Sequence, residues 1–378
     1  MVDPENLISL FHLGWQLVPF PAQSHLNQLL QLSHVISSHN IPVHYLGSAL
    51  YNSQVKSRAV YVLNRERIQF HDFPTSHFVS PPPNDIKFPS HLMPSFEASV
   101  ENLREPFADL LALLSKTAFK GSFTPGLIES AFLDLMLKIE RERNEDAKMW
   151  AIGPLETMTI FRNRLNGGQH ECLEWLDKQR PNSVLYISFG TTTFMEDEQI
   201  RELALGLEQS EMNFLWVLRD ADKGNVFVQV RRPQLPDGFE ERVKEKGMVV
   251  RDWAPHLDIL GHSSTGGFMS HCGWNSCLES MSLGVSIAAW PMHSDQLINA
   301  VLITEVLKVG VLVGNWTRKD ELGSPSVISE VVNKLMDSEE GDEVRKRAEE
   351  FGNELREATA EGGVSRIELD SFIAHISR

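Results

Sequence analysis

Between Trp253 and Gln296 the chain reads WAPHLDILGHSSTGGFMSHCGWNSCLESMSLGVSIAAWPMHSDQ, and several side chains there have the types and spacing of a ligand site. An apolar run ends at His271, a tight Cys272-Gly273-Trp274 turn follows, and a helical pattern starts at Asn275. Glycine in such a turn lets backbone come close to a ligand, and a helix start offers free N–H groups with a partial positive charge. That is an anion site, suited to a diphosphate. His271, Asn275 and Ser276 add side-chain donors at the same point. Glu279, one turn further on, can accept hydrogen bonds from a ribose diol, and Trp253 offers a flat apolar face for a base. Each residue also has a plainer use. Ser276-x-x-Glu279 is a capping box, Ser294 before Asp295 can be a simple N-cap, Trp253 can be core, and His271 a satisfied buried histidine.

The elements that must hold these residues are legible around them. Short apolar runs alternate with helical patterns, which argues for α/β units on parallel sheets. In the second half, strands are expected at residues 183–190, 213–219, 248–252, 267–270, 285–290 and 310–313. Helices are expected at 196–209, 275–283, 295–308, 326–336 and 342–359. In the first half a strand is expected at 13–20, a turn at 21–24 with Ser24 as N-cap, a helix bearing Leu26, Leu29, Leu30, Ser33 and Ile36, and a strand at 42–47. Beyond it the prolines at 74, 81–83, 89 and 94 break the pattern before a helix near 97–115.

Length and charge bound the rest. The chain has 378 residues, more than one hydrophobic core usually serves, so two domains are expected. We place the first at 1–154, the second at 155–360, and a helix at 361–378 packing back towards the first. A hydrophobic content of 42% with 23% charged residues excludes disorder, collagen and coiled coil. The formal net charge of −16 argues against nucleic-acid binding, while leaving room for a local anion site. Three cysteines without a C-x-x-C pair form neither a disulfide framework nor a zinc site and fit a reducing compartment. The apolar stretch at 7–22 follows Asp3 and Glu5 and contains His12 and Gln16, so it reads as a buried strand rather than a leader. No run of 18 apolar residues is present to span a membrane. The expectation is a cytoplasmic monomer. No G-x-G-x-x-G follows a predicted strand, which weighs against a nicotinamide dehydrogenase.

The 44-residue block from Trp253 to Gln296 resembles the signature box of plant family 1 UDP-glycosyltransferases, through HCGWNS, LES, GV, WP and the final DQ. The resemblance implies a GT-B-like fold of two facing Rossmann-like domains and inverting transfer of a sugar from a UDP-sugar to a small hydroxylated acceptor. It implies that Trp253 stacks on uracil, with Ala254 touching the base through its backbone. His271, Trp274 (by its backbone), Asn275 and Ser276 would hold the phosphates, and Glu279 the ribose. Asp295 and Gln296, with Ser294 before them, would bind the sugar, and Thr191 after the SVLYISFG strand would face the diphosphate from the other side. His256 stands where the family usually has Gln, which implies weaker uridine or ribose binding, and Ser286 where Pro is common. PFPAQSHLNQLLQLS resembles the stretch carrying the family's catalytic base, placing that role on His25, with Ser24 in place of the usual Gly. A first-turn imidazole has its charged form disfavoured by the helix dipole, which suits a neutral base at pH 7. HLNQLL, SFGTTT, VLRDADKG and AWPMHSDQ resemble the branch that glucosylates or xylosylates zeatin, a cytokinin.

No metal is expected. Asp220-Ala221-Asp222 has the D-x-D pattern of metal-dependent transferases of another architecture, but it lies in a polar loop beside Arg219 and Lys223. The helix start at Asn275 can stabilise the departing UDP by itself. The family's domains are nearly equal in size, whereas here 154 residues face 224, a shortfall of about 70 in the first half. What should lie there is the strand bearing the Asp that orients the catalytic histidine. Asp109 and Asp134 are available, but both fall in amphipathic helical patterns. The rival expectation is therefore a catalytically impaired UDP-sugar-binding protein.

Overall fold

A computed structural model describes residues 15–17, 23–58, 67–73, 138, 141, 148–155, 170–190, 195, 197–218, 234–292, 295–314 and 323–377. The chain divides into two compact units, Met1–Thr159 together with Ala358–Arg378, and Ile160–Glu357.

In the first unit, β1 (Trp15–Leu17), β2 (Val43–Ser48) and β3 (Ile68–Phe73) pair in parallel in that order, with α1 (Gln23–Ser38) and α2 (Ala49–Arg58) between them. All six residues of β2 are buried, as a central parallel strand requires. Leu26, Leu30 and Ile36 of α1 share that core with Val43 and Tyr45. Leu369 and Ile373 of the last helix, Val364–Ile376, complete it. The last helix is fastened further by the Trp150 indole N–H, which donates to Ser371 Oγ at 3.2 Å. α1 begins at Gln23, so Ser24 lies inside its first turn and is not the N-cap. β3 and α2 had no clear signal in the sequence. The expected helix at 97–115 lies outside the described residues.

In the second unit, α3 (Glu171–Leu176) precedes β4 (Val184–Ser188), α4 (Asp197–Ser210) and β5 (Asn213–Val217). Then come α5 (Phe239–Val243), β6 (Gly247–Val250), α6 (His256–Leu260), β7 (Thr265–Ser270) and α7 (Trp274–Ser282). β8 (Ile287–Ala289), α8 (Gln296–Val301), β9 (Gly310–Leu312), α9 (Pro325–Met336) and α10 (Glu339–Thr359) follow. The helix expected over 295–308 is α-helical only to Val301 and widens into a π-helical turn at Leu302–Val306. The six strands are parallel in the order β6-β5-β4-β7-β8-β9.

α4 shows how the layers close. Ile200, Leu203, Ala204 and Leu207 recur at helical spacing and are buried, while Asp197 and Glu198 face the positive helix start. Gly206 permits close approach to α9, since a Cβ there would lie 2.6 Å from Ile328. This α/β core matters for function because of its winding. The chain runs outward from β4 to β6, then returns to β7 and runs outward the other way. Ligands of such sheets bind beyond the carboxyl ends of the strands at that reversal, here between β4 and β7.

Candidate functional site

The reversal point is occupied by His271, the first residue after β7. Its side chain is buried and lies between two glycines. A Cβ on Gly190, just beyond β4, would come within 2.9 Å of Nε2, and one on Gly273 within 2.5 Å. Gly190 also has a φ of 75°, the left-handed region that other residues enter at a penalty. Cys272 adopts a φ of 63° and accepts the sharp turn because its N–H bonds Ser270 Oγ at 3.1 Å. Backbone is thus brought against the imidazole from two adjacent strands.

α7 starts at Trp274, one residue before the expected position. Its N-cap is Gly273, which provides no side-chain cap. Ser276 therefore sits at the third helical position, and the capping-box alternative fails because it required Ser276 at the cap. The first amide of the helical ladder is that of Cys277, bonded to Gly273 O at 3.1 Å, so the amides of Trp274, Asn275 and Ser276 precede it. Residues 273–276 are half-buried between the fully buried Cys272 and Cys277. A partly open helix start beside a buried imidazole is the arrangement that an anion site requires.

The other residues gather at the same end of the sheet. Trp253, beyond β6, is 65% exposed, which removes the core reading of this tryptophan. Its ring meets that of His170 edge-on at 5.8 Å. Ala254 is buried beside it. His256 opens α6, with Nδ1 2.8 Å from Tyr186 Oη and Nε2 3.2 Å from Glu279 Oε2. Asp295 is exposed and Gln296 buried, its Oε1 accepting from the Met292 N–H at 2.9 Å. Asn299 Nδ2 donates to Cys272 O at 3.0 Å and to Asp295 Oδ2 at 3.1 Å. Ser286, where Pro is common, lies at the opposite end of the sheet, just before β8, buried and donating to Gly266 O at 3.3 Å.

Tyr186, Phe268 and Asn299 were missed in the sequence, because their partners lie far along the chain. A signal did exist for Asn299, which lies four residues after Asp295 on a helix, within side-chain reach. Thr191, Ser294, Asp109, Asp134, Asp220 and Asp222 lie outside the described residues. His25 is the third residue of α1 in the first unit. Among the described residues, no helix is long and apolar enough to cross a membrane.

Two family models match the chain: "Glycosyltransferase, N-terminal domain" over residues 16–120, and "UDP-glucoronosyl and UDP-glucosyl transferase" over residues 167–334. The chain is 44% identical to zeatin O-xylosyltransferase of Phaseolus vulgaris, across 96% of this chain and 97% of that one. It is also 44% identical to zeatin O-glucosyltransferase of Phaseolus lunatus, across 96% of both chains. The first alignment runs over 445 positions against a chain of 378, so at least 67 positions of it face no residue of this chain. Among solved structures, UGT2 of Phytolacca americana, complexed with UDP-2fluoro-glucose and pterostilbene, superposes with a TM-score of 0.68 at 25% identity. That likeness covers 95% of this chain and 98% of that one. A transferase of Siraitia grosvenorii in complex with UDP shares the fold with a TM-score of 0.70 at 24% identity, over 97% of this chain and 100% of that one.

A doubly wound six-stranded unit and another parallel α/β unit in one chain, with these solved relatives, define the GT-B class of sugar-nucleotide transferase. The chain belongs to the plant family 1 UDP-glycosyltransferases.

Proposed function

We propose that this protein transfers glucose or xylose from the corresponding UDP-sugar to a hydroxyl of a small acceptor such as zeatin, with inversion at the anomeric carbon. The observation that carries this reading is the half-open helix start at Trp274–Ser276, set against His271 between two glycines. UDP lies there, with uracil on Trp253 and against the Ala254 backbone, and the ribose at Glu279. His271, Asn275 and Ser276, with the Trp274 amide, hold the diphosphate, and Thr191 faces it. Ser294, Asp295 and Gln296 take the sugar. His25 removes the acceptor proton as the hydroxyl attacks and UDP leaves. The identity to the two zeatin transferases supports this choice of donor and acceptor.

A second reading has one observation in its favour, the aligned positions that face no residue of this chain. It is a UDP-sugar-binding protein whose acceptor side is impaired. Catalysis needs donor, oriented base and acceptor at one point, and positioning alone can supply roughly 7–11 kcal/mol. Purified protein incubated with UDP-glucose or UDP-xylose and trans-zeatin, read by mass spectrometry, separates the two. A hexosyl or pentosyl zeatin that disappears in His25→Ala supports the transferase. UDP binding with no glycosylated product supports the impaired protein. We place the protein in the cytosol as a monomer that works without a metal.

A further inference from the structure

We propose that His256 is a positioning residue for the donor: it fixes the Glu279 carboxylate for the ribose hydroxyls of UDP instead of contacting the ribose itself. The proposal rests on the donor-site reading above and concerns the one position in the block where imidazole stands for the usual amide. Three elements converge on the ring. Tyr186 comes from β4, Phe268 from β7 and Glu279 from α7, while His256 opens α6. The rings of Tyr186 and Phe268 stack at 5.1 Å and 17°, and both are buried. His256 leans on that stack, 5.4 Å from Tyr186 and 5.5 Å from Phe268.

Both ring nitrogens face protein. Nδ1 is 2.8 Å from Tyr186 Oη, and a phenol can donate there only if Nδ1 carries no proton. In the neutral ring this puts the proton on Nε2. That atom is shielded from solvent and stands 3.2 Å from Glu279 Oε2, off the line of an ideal hydrogen bond. A small rotation of the carboxylate brings the two into line. Tyrosine, histidine and glutamate then form one directed chain, anchored in the sheet and ending on a partly exposed carboxylate. One oxygen is held by the imidazole, and the other is left to accept from the ribose diol. A glutamine at residue 256 could play the same part, its carbonyl accepting from Tyr186 and its amide donating to Glu279. An alanine or phenylalanine could do neither.

The test is calorimetric binding of UDP and of 2′-deoxy-UDP to the full chain, comparing wild type with His256→Ala, His256→Phe, His256→Gln and Glu279→Gln. His256→Phe keeps the ring volume in case the alanine variant unfolds. Wild type should favour UDP by about tenfold or more, the worth of one hydrogen bond to a charged acceptor. His256→Ala and His256→Phe should lose most of that preference while binding 2′-deoxy-UDP within about twofold of wild type, a pattern that general loosening of the fold would not give. His256→Gln should restore it. A preference lost in Glu279→Gln but kept in both His256→Ala and His256→Phe would overturn this proposal and leave the donor site standing. Equal weakening of both nucleotides would overturn it too. Failure of wild type to bind UDP would overturn the donor-site reading itself.

Discussion

The side-chain amide of Asn299 donates to the backbone carbonyl of Cys272, 27 residues earlier, at 3.0 Å. The same nitrogen reaches Asp295 at 3.1 Å, so one buried residue ties the turn proposed to hold the diphosphate to the segment proposed to hold the sugar. Asn299→Ala should leave a buried carbonyl unsatisfied, at about 1–3 kcal/mol of stability. It should also weaken UDP-glucose more than UDP, because Asp295 loses its tether. Thermal melts and calorimetry with both ligands check this, and equal loss for the two ligands would show that Asn299 braces the turn alone.

Gly273→Ala tests the packing around His271. The backbone at Gly273 has φ −60° and ψ 135°, which alanine adopts freely, so the only new demand is the 2.5 Å contact with Nε2. The imidazole must move, and UDP affinity should fall by roughly tenfold or more. An unchanged dissociation constant would mean that His271 does not touch the phosphates.

Trp253→Ala should behave in the opposite way to a core substitution. The side chain is 65% exposed, so its removal should hardly move the melting temperature. Loss of a stacked base should cost about 1–3 kcal/mol of UDP binding. A large drop in melting temperature with unaltered binding would restore a structural role to this residue.

Metal removal is informative because a D-x-D pattern is present in the sequence. If Asp220 and Asp222 are only loop residues, EDTA leaves UDP binding and sugar transfer as they were. Loss on chelation, with recovery on adding manganese, would transfer the diphosphate to a metal.

The first unit should weaken in mild acid. Burial lowers the pKa of His71 below its ordinary 6.5, and His44, whose Nδ1 is 2.9 Å away, lowers it further, while Asp72 opposes. On acidification the unfolded chain therefore takes up this proton before the folded one. The stability is whole above about 6.5 and is lost as pH falls below that towards the folded value. Melting temperatures between about pH 7.5 and pH 5.5 should decline, and His71→Gln should flatten the decline. Parallel curves for the two proteins would assign the acid sensitivity elsewhere.

The parts of the site that were legible in the sequence are those built within one continuous turn. A strand, a glycine turn and a helix start follow one another from residue 265 to 282, so type and spacing alone place His271, Asn275 and Ser276 together. The Tyr186–His256 contact spans 70 residues and depends on β4 and β7 being neighbours, which no local pattern reveals. Trp253 was ambiguous because an aromatic residue reads the same in a core and on a binding face. β3 escaped notice because IQFHDF mixes polar and apolar residues, and only Ile68 is fully buried. Its place in the sheet comes from pairing with β2 rather than from its own pattern.

The helix at Val364–Ile376 supplies Leu369 and Ile373 to a core whose other members lie between residues 26 and 155. During synthesis the first half of the chain leaves the ribosome long before that helix exists. The second unit, by contrast, is one continuous stretch of chain, Ile160–Glu357. The first unit therefore cannot complete its core from its own stretch of chain: part of its apolar face stays uncovered until the last helix has been made.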